Sequence, residues 1–178
     1  MENSHHWTQE LIFDVAEDYY HGLIDAINRA KKTIDLTTYI FSLDKVGNQV
    51  ITALIAAAKK GVTVRVSIDG IGSLEYAQSI CNLLESAAID VKVFHPVPWH
   101  FPFNFPSYKT GNLISKLTFF LSKINRRDHR KFCIIDQKEA WSGNLNICQD
   151  HLGLETYWRD YGVKLLGPAV DNLTANFN

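Results

Sequence analysis

The sequence has no apolar run close to the roughly 20 residues that a membrane-spanning helix needs, and its N-terminus lacks the basic-then-apolar order of a signal peptide. It has only three cysteines (Cys81, Cys133 and Cys148), without metal-ligand spacing, which excludes a disulfide scaffold and a zinc module and predicts reduced thiols in a cytosolic protein. The net charge of −1 provides no overall basic field for nucleic acid. What is present is a 46% hydrophobic chain of 178 residues, enough for one domain core.

The first half of the chain alternates β-branched runs with amphipathic runs. Helices are predicted over 18–32, 48–60 and 74–88, and strands over 33–41, 62–69 and 89–97. Strands that alternate with helices at this spacing indicate an α/β fold with a parallel sheet covered by helices.

The second half has a different character. Residues 96–108 hold four of the five prolines, which excludes regular structure and predicts an apolar loop. Residues 109–138 form a locally basic strip, with eight Lys or Arg against two acidic residues. A strand over 131–135, a polar Gly/Asn turn, a strand over 161–166 and a helix that starts near Pro168 are predicted after the loop.

The pair His129 and Lys131 carries chemistry if this segment is a strand. Side chains two residues apart point to one face of a strand, so both can contact a single anionic group. The imidazole can act as a nucleophile or as an acid or base, while the ammonium holds an oxygen. The turn at Gly143, Asn144 and Asn146 offers amides that can bind the same anion. The residues alone predict a phosphate site centred on a histidine, although most isolated His-x-Lys pairs are solvated strand surface.

The complete spacing, His129-x-Lys131-x₄-Asp136 followed by Gly143-Asn144-x-Asn146, resembles the signature of the phospholipase D superfamily. Within the superfamily the chain is similar to the N-terminal half of bacterial cardiolipin synthases. The stretches that carry this similarity are 38–41 (TYIF), 61–65 (GVTVR), 69–73 (DGIGS), 125–131 (NRRDHRK), 158–160 (WRD) and 167–170 (GPAV).

The resemblance implies a phospholipase D-like α/β domain with a mixed, mostly parallel sheet flanked by helices. It implies phosphodiester exchange through a phosphohistidine, without a metal or cofactor. By position, His129, Lys131 and Asp136 form the catalytic signature, and Gly143, Asn144 and Asn146 bind phosphate. The family usually has serine where this chain has Asn144.

The aspartate of the signature is seven residues from the histidine, an odd offset that points it away from the imidazole along a continuous strand. We therefore expect Asp136 to be a structural acceptor at the strand end. The carboxylate that orients a signature histidine is expected downstream, at Asp160 or, as second choice, Glu155. Whether it serves its own histidine or that of a second half stays open.

Only one copy of the signature is present in residues 1–178, whereas the family's site needs two histidines. We interpret the chain as one catalytic domain that is either half of a two-motif enzyme or pairs with itself about a two-fold axis. The favoured function is phosphatidyl transfer in phospholipid biosynthesis, on an anionic phospholipid, by a cytoplasmic protein in peripheral contact with the inner membrane face. The alternatives are a homodimeric single-motif phosphodiesterase or nuclease, disfavoured by the near-neutral charge, and a catalytically incomplete half-domain.

Overall fold

The computed structural model describes residues 7–96, 127–152, 159–174 and 177. Its elements in chain order are β1 (Gln9–Phe13), α1 (Ala16–Arg29), β2 (Thr33–Thr38), α2 (Lys45–Lys59), β3 (Thr63–Asp69), α3 (Ala77–Glu85), β4 (Asp90–Phe94), β5 (Phe132–Ile135), β6 (Glu139–Gly143), a short 3-10 helix (Gln149–Leu152), β7 (Gly162–Leu166) and α4 (Val170–Thr174). The predicted loop at 96–108, except its first residue, and the basic strip up to residue 126 lie outside the described residues.

The strands form one mixed sheet of seven strands in the order β1-β7-β6-β5-β2-β3-β4. β2 pairs in parallel with β3, and β3 in parallel with β4. The pairings β2–β5, β5–β6, β6–β7 and β1–β7 are antiparallel. The α/β class and the mixed sheet are confirmed, but parallel pairing predominates only in the first half of the chain. A parallel partner needs a crossover helix, and the short turns of the second half favour antiparallel pairs.

One face of the sheet carries the main core. α1 buries Tyr19, Tyr20, Leu23 and Ile27 on this face, as its apolar periodicity predicts. α2 packs beside α1 and begins at Asp44, whose carboxylate accepts from the Gly47 amide at 2.9 Å. The three cysteines are free and buried.

The other face of the sheet carries a smaller cluster. Ile134, Ala140 and Val170 are buried there, with α4 packed against β5. On the same face the Arg65 guanidinium donates to the Asp35 carboxylate at 2.6 Å. The hydrogen bond to the Asp35 carboxylate raises the pKa of Arg65.

Two strands were not predicted. β6 occupies part of the segment read as a polar turn, and β1 lies at the sheet edge with four of its five residues exposed. Strand β1 lacks a buried face of its own, so its sequence shows little alternation, and its antiparallel pairing with β7 holds it in place. Across the described ranges, no helix has both the length and the hydrophobicity to cross a bilayer.

Candidate active site

The signature residues at the start of β5 and the end of β6 lie at one edge of the sheet. β2, β3 and β6 end at this edge, while β5 and β7 begin there, since β5 is antiparallel to both β2 and β6. The edge thus collects the loop after β2, the segment 127–131 before β5, the turn after β6 and the approach to β7. The site is therefore assembled from four separate segments of the chain.

His129 and Lys131 lie around one aromatic ring. The His129 imidazole contacts the Tyr39 ring with centroids 4.0 Å apart, and Lys131 Nζ lies 5.6 Å from the centre of the same ring. Lys131 Nζ also donates to the His129 carbonyl at 2.9 Å. The two side chains share one side of the site although residues 127–131 precede the strand, which begins only at Phe132. The imidazole is exposed and open to a substrate.

Two carboxylates, Asp69 and Asp128, hold the segment around His129 in place by hydrogen bonds. Asp69, fully buried at the end of β3, accepts from the amides of Ile71 and Gly72 at 2.9 and 3.0 Å and from the Asp128 amide at 3.0 Å. The Asp128 carboxylate in turn accepts from the Arg130 guanidinium at 2.7 and 2.8 Å. Burial raises the pKa of Asp128, but the hydrogen bonds and the charge of Arg130 outweigh burial and hold that pKa below its ordinary value.

The electrostatic environment of Lys131 suits an anion. Burial lowers the pKa of Lys131, while the charges of Asp128 and Asp160 act in the opposite direction. A partly desolvated ammonium attracts an anionic oxygen more strongly than a fully solvated one. Lys131 lies beside an exposed imidazole, so the two side chains are a candidate anion-binding pair, and an imidazole is chemically capable of nucleophilic or acid–base catalysis.

Asn146 is nearly buried and held by its neighbours. Its side-chain oxygen accepts from the Ile40 amide at 3.1 Å, and its carbonyl accepts from the Tyr20 hydroxyl at 2.6 Å. No residue of the described ranges is assigned as an acceptor for its side-chain NH₂ group. With the oxygen occupied, the amide presents its two N–H groups, which are donors that a phosphate oxygen can accept from.

The sequence predicted free backbone amides in the turn after β6, but those of Asn144 and Asn146 are engaged in hydrogen bonds. The Asn144 amide donates to the Tyr161 carbonyl at 3.1 Å, and the amides of Asn146 and Ile147 are engaged as well. Gly143 has a φ of 146°, and a Cβ there would lie 2.3 Å from the Tyr161 carbonyl oxygen, so only glycine fits. The turn brings its side chains to the site edge, with Asn144 exposed, while its backbone serves the fold.

Asp136 lies at the opposite edge of the sheet. Its carboxylate accepts from the amides of Lys31, Lys32 and Thr33, at distances from 2.6 to 3.1 Å. Burial raises the pKa of Asp136, but these backbone hydrogen bonds and the charge of Lys32 bring it below its ordinary value. The Asp136 side chain is therefore a structural acceptor that stabilises the turn between α1 and β2. The length of β5 separates it from the imidazole.

Asp160 contacts a histidine outside the signature. Its Oδ2 lies 2.6 Å from Nδ1 of His151, and Nε2 of His151 accepts from the Asn146 amide at 3.1 Å. The second choice, Glu155, lies outside the described residues. Sequence reasoning gave no role to His151, since no lysine follows it two residues on.

Two further residues of the site were present in the quoted motifs without a role. Tyr39 belongs to the TYIF stretch and Asp69 to the DGIGS stretch. The signal that could have found both is their place directly at the ends of consecutive parallel strands, where ligand sites form in α/β sheets. Within the described ranges, no group of three or more His, Cys, Asp or Glu is placed to hold a metal ion.

The chain is similar to known proteins in sequence and in fold. Residues 23–177 match the family model described as the cardiolipin synthase, PLD-like domain. The chain belongs to this family.

Cardiolipin synthase from Clostridium perfringens strain 13 is 36% identical over 172 residues, which cover 94% of this chain and 32% of that protein. The major cardiolipin synthase ClsA of Bacillus subtilis is 33% identical over 183 residues, which cover 99% of this chain and 34% of that protein. The chain therefore spans about a third of the length of the curated cardiolipin synthases it matches.

Solved structures show the same fold. The phospholipase D family member Nuc from Salmonella typhimurium superposes with a TM-score of 0.64 at 19% identity, covering 95% of this chain and 92% of that chain. Phosphatidylserine synthase from Haemophilus influenzae superposes with a TM-score of 0.65 at 16% identity, covering 98% of this chain and 36% of that chain.

Proposed function

We propose that this chain supplies one half of a phosphatidyl-transfer site of the cardiolipin synthase type. The observation that carries the proposal is the arrangement of His129 and Lys131 around the Tyr39 ring, with the Asn146 amide at the same sheet edge. An exposed imidazole beside a partly desolvated ammonium binds a phosphodiester and attacks it. Family membership supports the lipid substrate, an anionic phospholipid.

The reaction proceeds in two steps. A His129 ring nitrogen attacks phosphorus, a P–N bond forms, and the P–O bond to the leaving alcohol breaks while a second histidine gives its proton to that oxygen. An incoming alcohol then loses its proton to the second histidine and attacks phosphorus, and the P–N bond breaks. Lys131 and Asn146 hold the non-bridging oxygens throughout.

The second histidine comes from outside this set of residues. One copy of the signature and a length of about a third of the relatives support a second half of the same enzyme as its source. The lipid substrate places the reaction at the inner membrane face, which the chain contacts peripherally from the cytoplasm. In this scheme Asp136 shapes the turn before β2 and takes no part in proton transfer.

The second candidate is a phosphodiesterase or nuclease whose site forms between two copies of the chain. The observation in its favour is that the chain covers 92% of the Nuc chain, so a phospholipase D family member with a chain of about this length has a solved structure. In that case a symmetry-related His129 is the second histidine.

Leaving-group chemistry tests the proposal on this chain alone. A bis-aryl phosphodiester releases a phenolate that needs no acid catalyst, so one histidine suffices to form the phosphohistidine. We expect a covalent phosphoryl label on the wild type and on His21→Ala, an exposed histidine on α1, and none on His129→Ala. Absence of the label from the wild type, or its persistence in His129→Ala, contradicts the proposal.

Phosphatidylglycerol has a poor leaving group and needs both histidines. We therefore expect the monomeric chain to transfer phosphatidyl groups at a rate lower by several powers of ten than a complete site. Monomeric chain with strong turnover that is independent of protein concentration contradicts the two-histidine scheme. Activity that rises with dimer formation, with single-stranded DNA cut faster than lipid is transferred, replaces it by the nuclease.

A further inference from the structure

His151 lies between a carboxylate and the backbone of the site. Its Nδ1 is 2.6 Å from Asp160 Oδ2, and its Nε2 is 3.1 Å from the Asn146 backbone nitrogen. The side chains of His151 and Asp160 are only 15% and 26% exposed. Hydrogen bonds thus connect Asp160, before β7, through His151 to Asn146, in the turn after β6. Neither Asp160 nor His151 belongs to the signature.

The hydrogen bonds define the state of the imidazole. A backbone N–H can only donate, so Nε2 of His151 must present a lone pair to Asn146. The single ring proton then resides on Nδ1, where Asp160 accepts it. The ring is therefore neutral and held in one tautomer by its two neighbours.

The same chain of contacts determines where Asn146 presents its side chain. The Asn146 backbone is held at its amide by His151 and at its carbonyl by Tyr20, and its side-chain oxygen is held by Ile40. These three hydrogen bonds fix the direction in which the side-chain NH₂ group of Asn146 points at the site edge. Without His151, the amide end of the residue loses its acceptor and the peptide plane is free to rotate.

We propose that His151 is a positioning residue: its Nδ1-protonated ring, oriented by Asp160, fixes the Asn146 backbone so that the Asn146 side-chain amide meets the phosphate. This role rests on the proposed function, because it concerns the group that binds the non-bridging oxygens. It assigns Asp160 to a histidine of its own half that lies outside the signature.

Three substitutions of His151 separate its hydrogen bond to the Asn146 amide from its hydrogen bond to Asp160. Gln places its amide oxygen where Nε2 was and can accept from Asn146, whereas Asn places its amide nitrogen where Nδ1 was and keeps only the link to Asp160. We expect His151→Gln to bind inorganic phosphate within about twofold of the wild type. We expect His151→Asn and His151→Ala to bind it roughly five- to tenfold more weakly, since one hydrogen bond is lost. Titrations followed by NMR, with His21→Gln as control, measure these affinities.

The ring nitrogens of His151 give a second readout, which tests the hydrogen bond to Asn146 directly, while the phosphate affinity separates the positioning role from a purely structural one. We expect their ¹⁵N shifts at neutral pH to show a proton on Nδ1 and none on Nε2. A proton on Nε2, or phosphate affinity in His151→Ala equal to that of the wild type, overturns the positioning role.

The two proposals fail in different ways. Wild type that binds no phosphate and takes no label contradicts the proposed function, while the tautomer of His151 still decides whether the ring holds Asn146. Wild type that is labelled, with His151→Ala labelled and binding phosphate equally well, leaves the function standing and removes the positioning role.

Discussion

The His129 imidazole lies on the Tyr39 ring, with centroids 4.0 Å apart and planes tilted by 36°. The same ring lies under the Lys131 ammonium at 5.6 Å. Tyr39 follows the end of β2, and the Ser73 hydroxyl fixes the backbone there. This hydroxyl donates to the Tyr39 carbonyl and accepts from the Phe41 amide. One ring thus contacts both the imidazole and the ammonium, the two groups that the proposed function places on the same phosphate.

Substitution of Tyr39 is expected to separate these two groups. Tyr39→Leu removes the aromatic face that orients the imidazole and attracts the ammonium, interactions worth about 1 kcal/mol each. We expect labelling by a bis-aryl phosphodiester to slow by about tenfold or more in Tyr39→Leu. Tyr39→Phe keeps the ring and is expected to label at close to the wild-type rate. Equal rates for the Leu and Phe variants would show that the ring has no part in the site.

Removal of the Lys131 ammonium is expected to weaken anion binding while the domain stays folded. A hydrogen bond to a charged group contributes about 1.5 to 3 kcal/mol, so Lys131→Ala should bind phosphate or vanadate at least about tenfold more weakly. Lys138→Ala, an exposed lysine in the turn after β5, is the matched control and should bind as the wild type does. Calorimetric titration measures the anion affinity, and a thermal melt measures the stability of the domain. An unchanged affinity in Lys131→Ala argues against the anion site.

Asp136 is expected to affect stability and not the site. Asp136→Asn loses charge-assisted hydrogen bonds to backbone amides, at a cost of roughly 1 to 2 kcal/mol at neutral pH. The backbone φ of 53° at this position is one that asparagine tolerates. Labelling of His129 should persist, because the carboxylate lies at the other edge of the sheet. Loss of labelling in a folded Asp136→Asn variant would give this carboxylate a chemical role.

The stability that Asp136 provides should depend on pH. The pKa of its carboxyl group is lower in the folded chain than its ordinary value, so the unfolded state binds protons more readily. The contribution is complete above the unfolded pKa of about 3.9 and is lost as pH falls through the folded pKa. Denaturant midpoints of the wild type and Asp136→Asn should therefore converge below about pH 4, and a constant difference across this window contradicts the assignment.

Gly72 is expected to be required for the position of Tyr39. A Cβ at Gly72 would lie 2.3 Å from the Tyr39 carbonyl oxygen and 2.9 Å from its ring, so Gly72→Ala must displace the residue that supports His129. We expect a loss of about 1 to 3 kcal/mol in stability together with slower labelling. Gly61→Ala, at a φ of 87° with open space around it, should cost about 1 kcal/mol through backbone strain alone and leave labelling unchanged. Equal labelling rates in both variants would show that the site tolerates this displacement.

The sequence by itself determined the features that depend on neighbouring residues. The apolar spacing of Tyr20, Leu23 and Ile27 predicts α1, and the β-branched run before Asp69 predicts β3, because the periodicity of a helix or strand is a local property. The spacing of His129, Lys131 and Asn146 likewise predicts the candidate site, since their order along the chain is itself the signature. The odd offset of Asp136 was enough to place it away from the imidazole.

Only the tertiary structure decided how distant segments meet. β1 pairs with β7, which lies about 150 residues later in the chain, and nothing in the exposed sequence of β1 indicates this partner. Tyr39 reaches His129 because the antiparallel pairing of β2 and β5 brings the end of β2 close to the start of β5. The Asn144 amide is occupied because the pairing of β6 and β7 brings it to the Tyr161 carbonyl. Such contacts depend on register and on which strands are neighbours, and these follow from burial over the whole sheet and not from any local pattern.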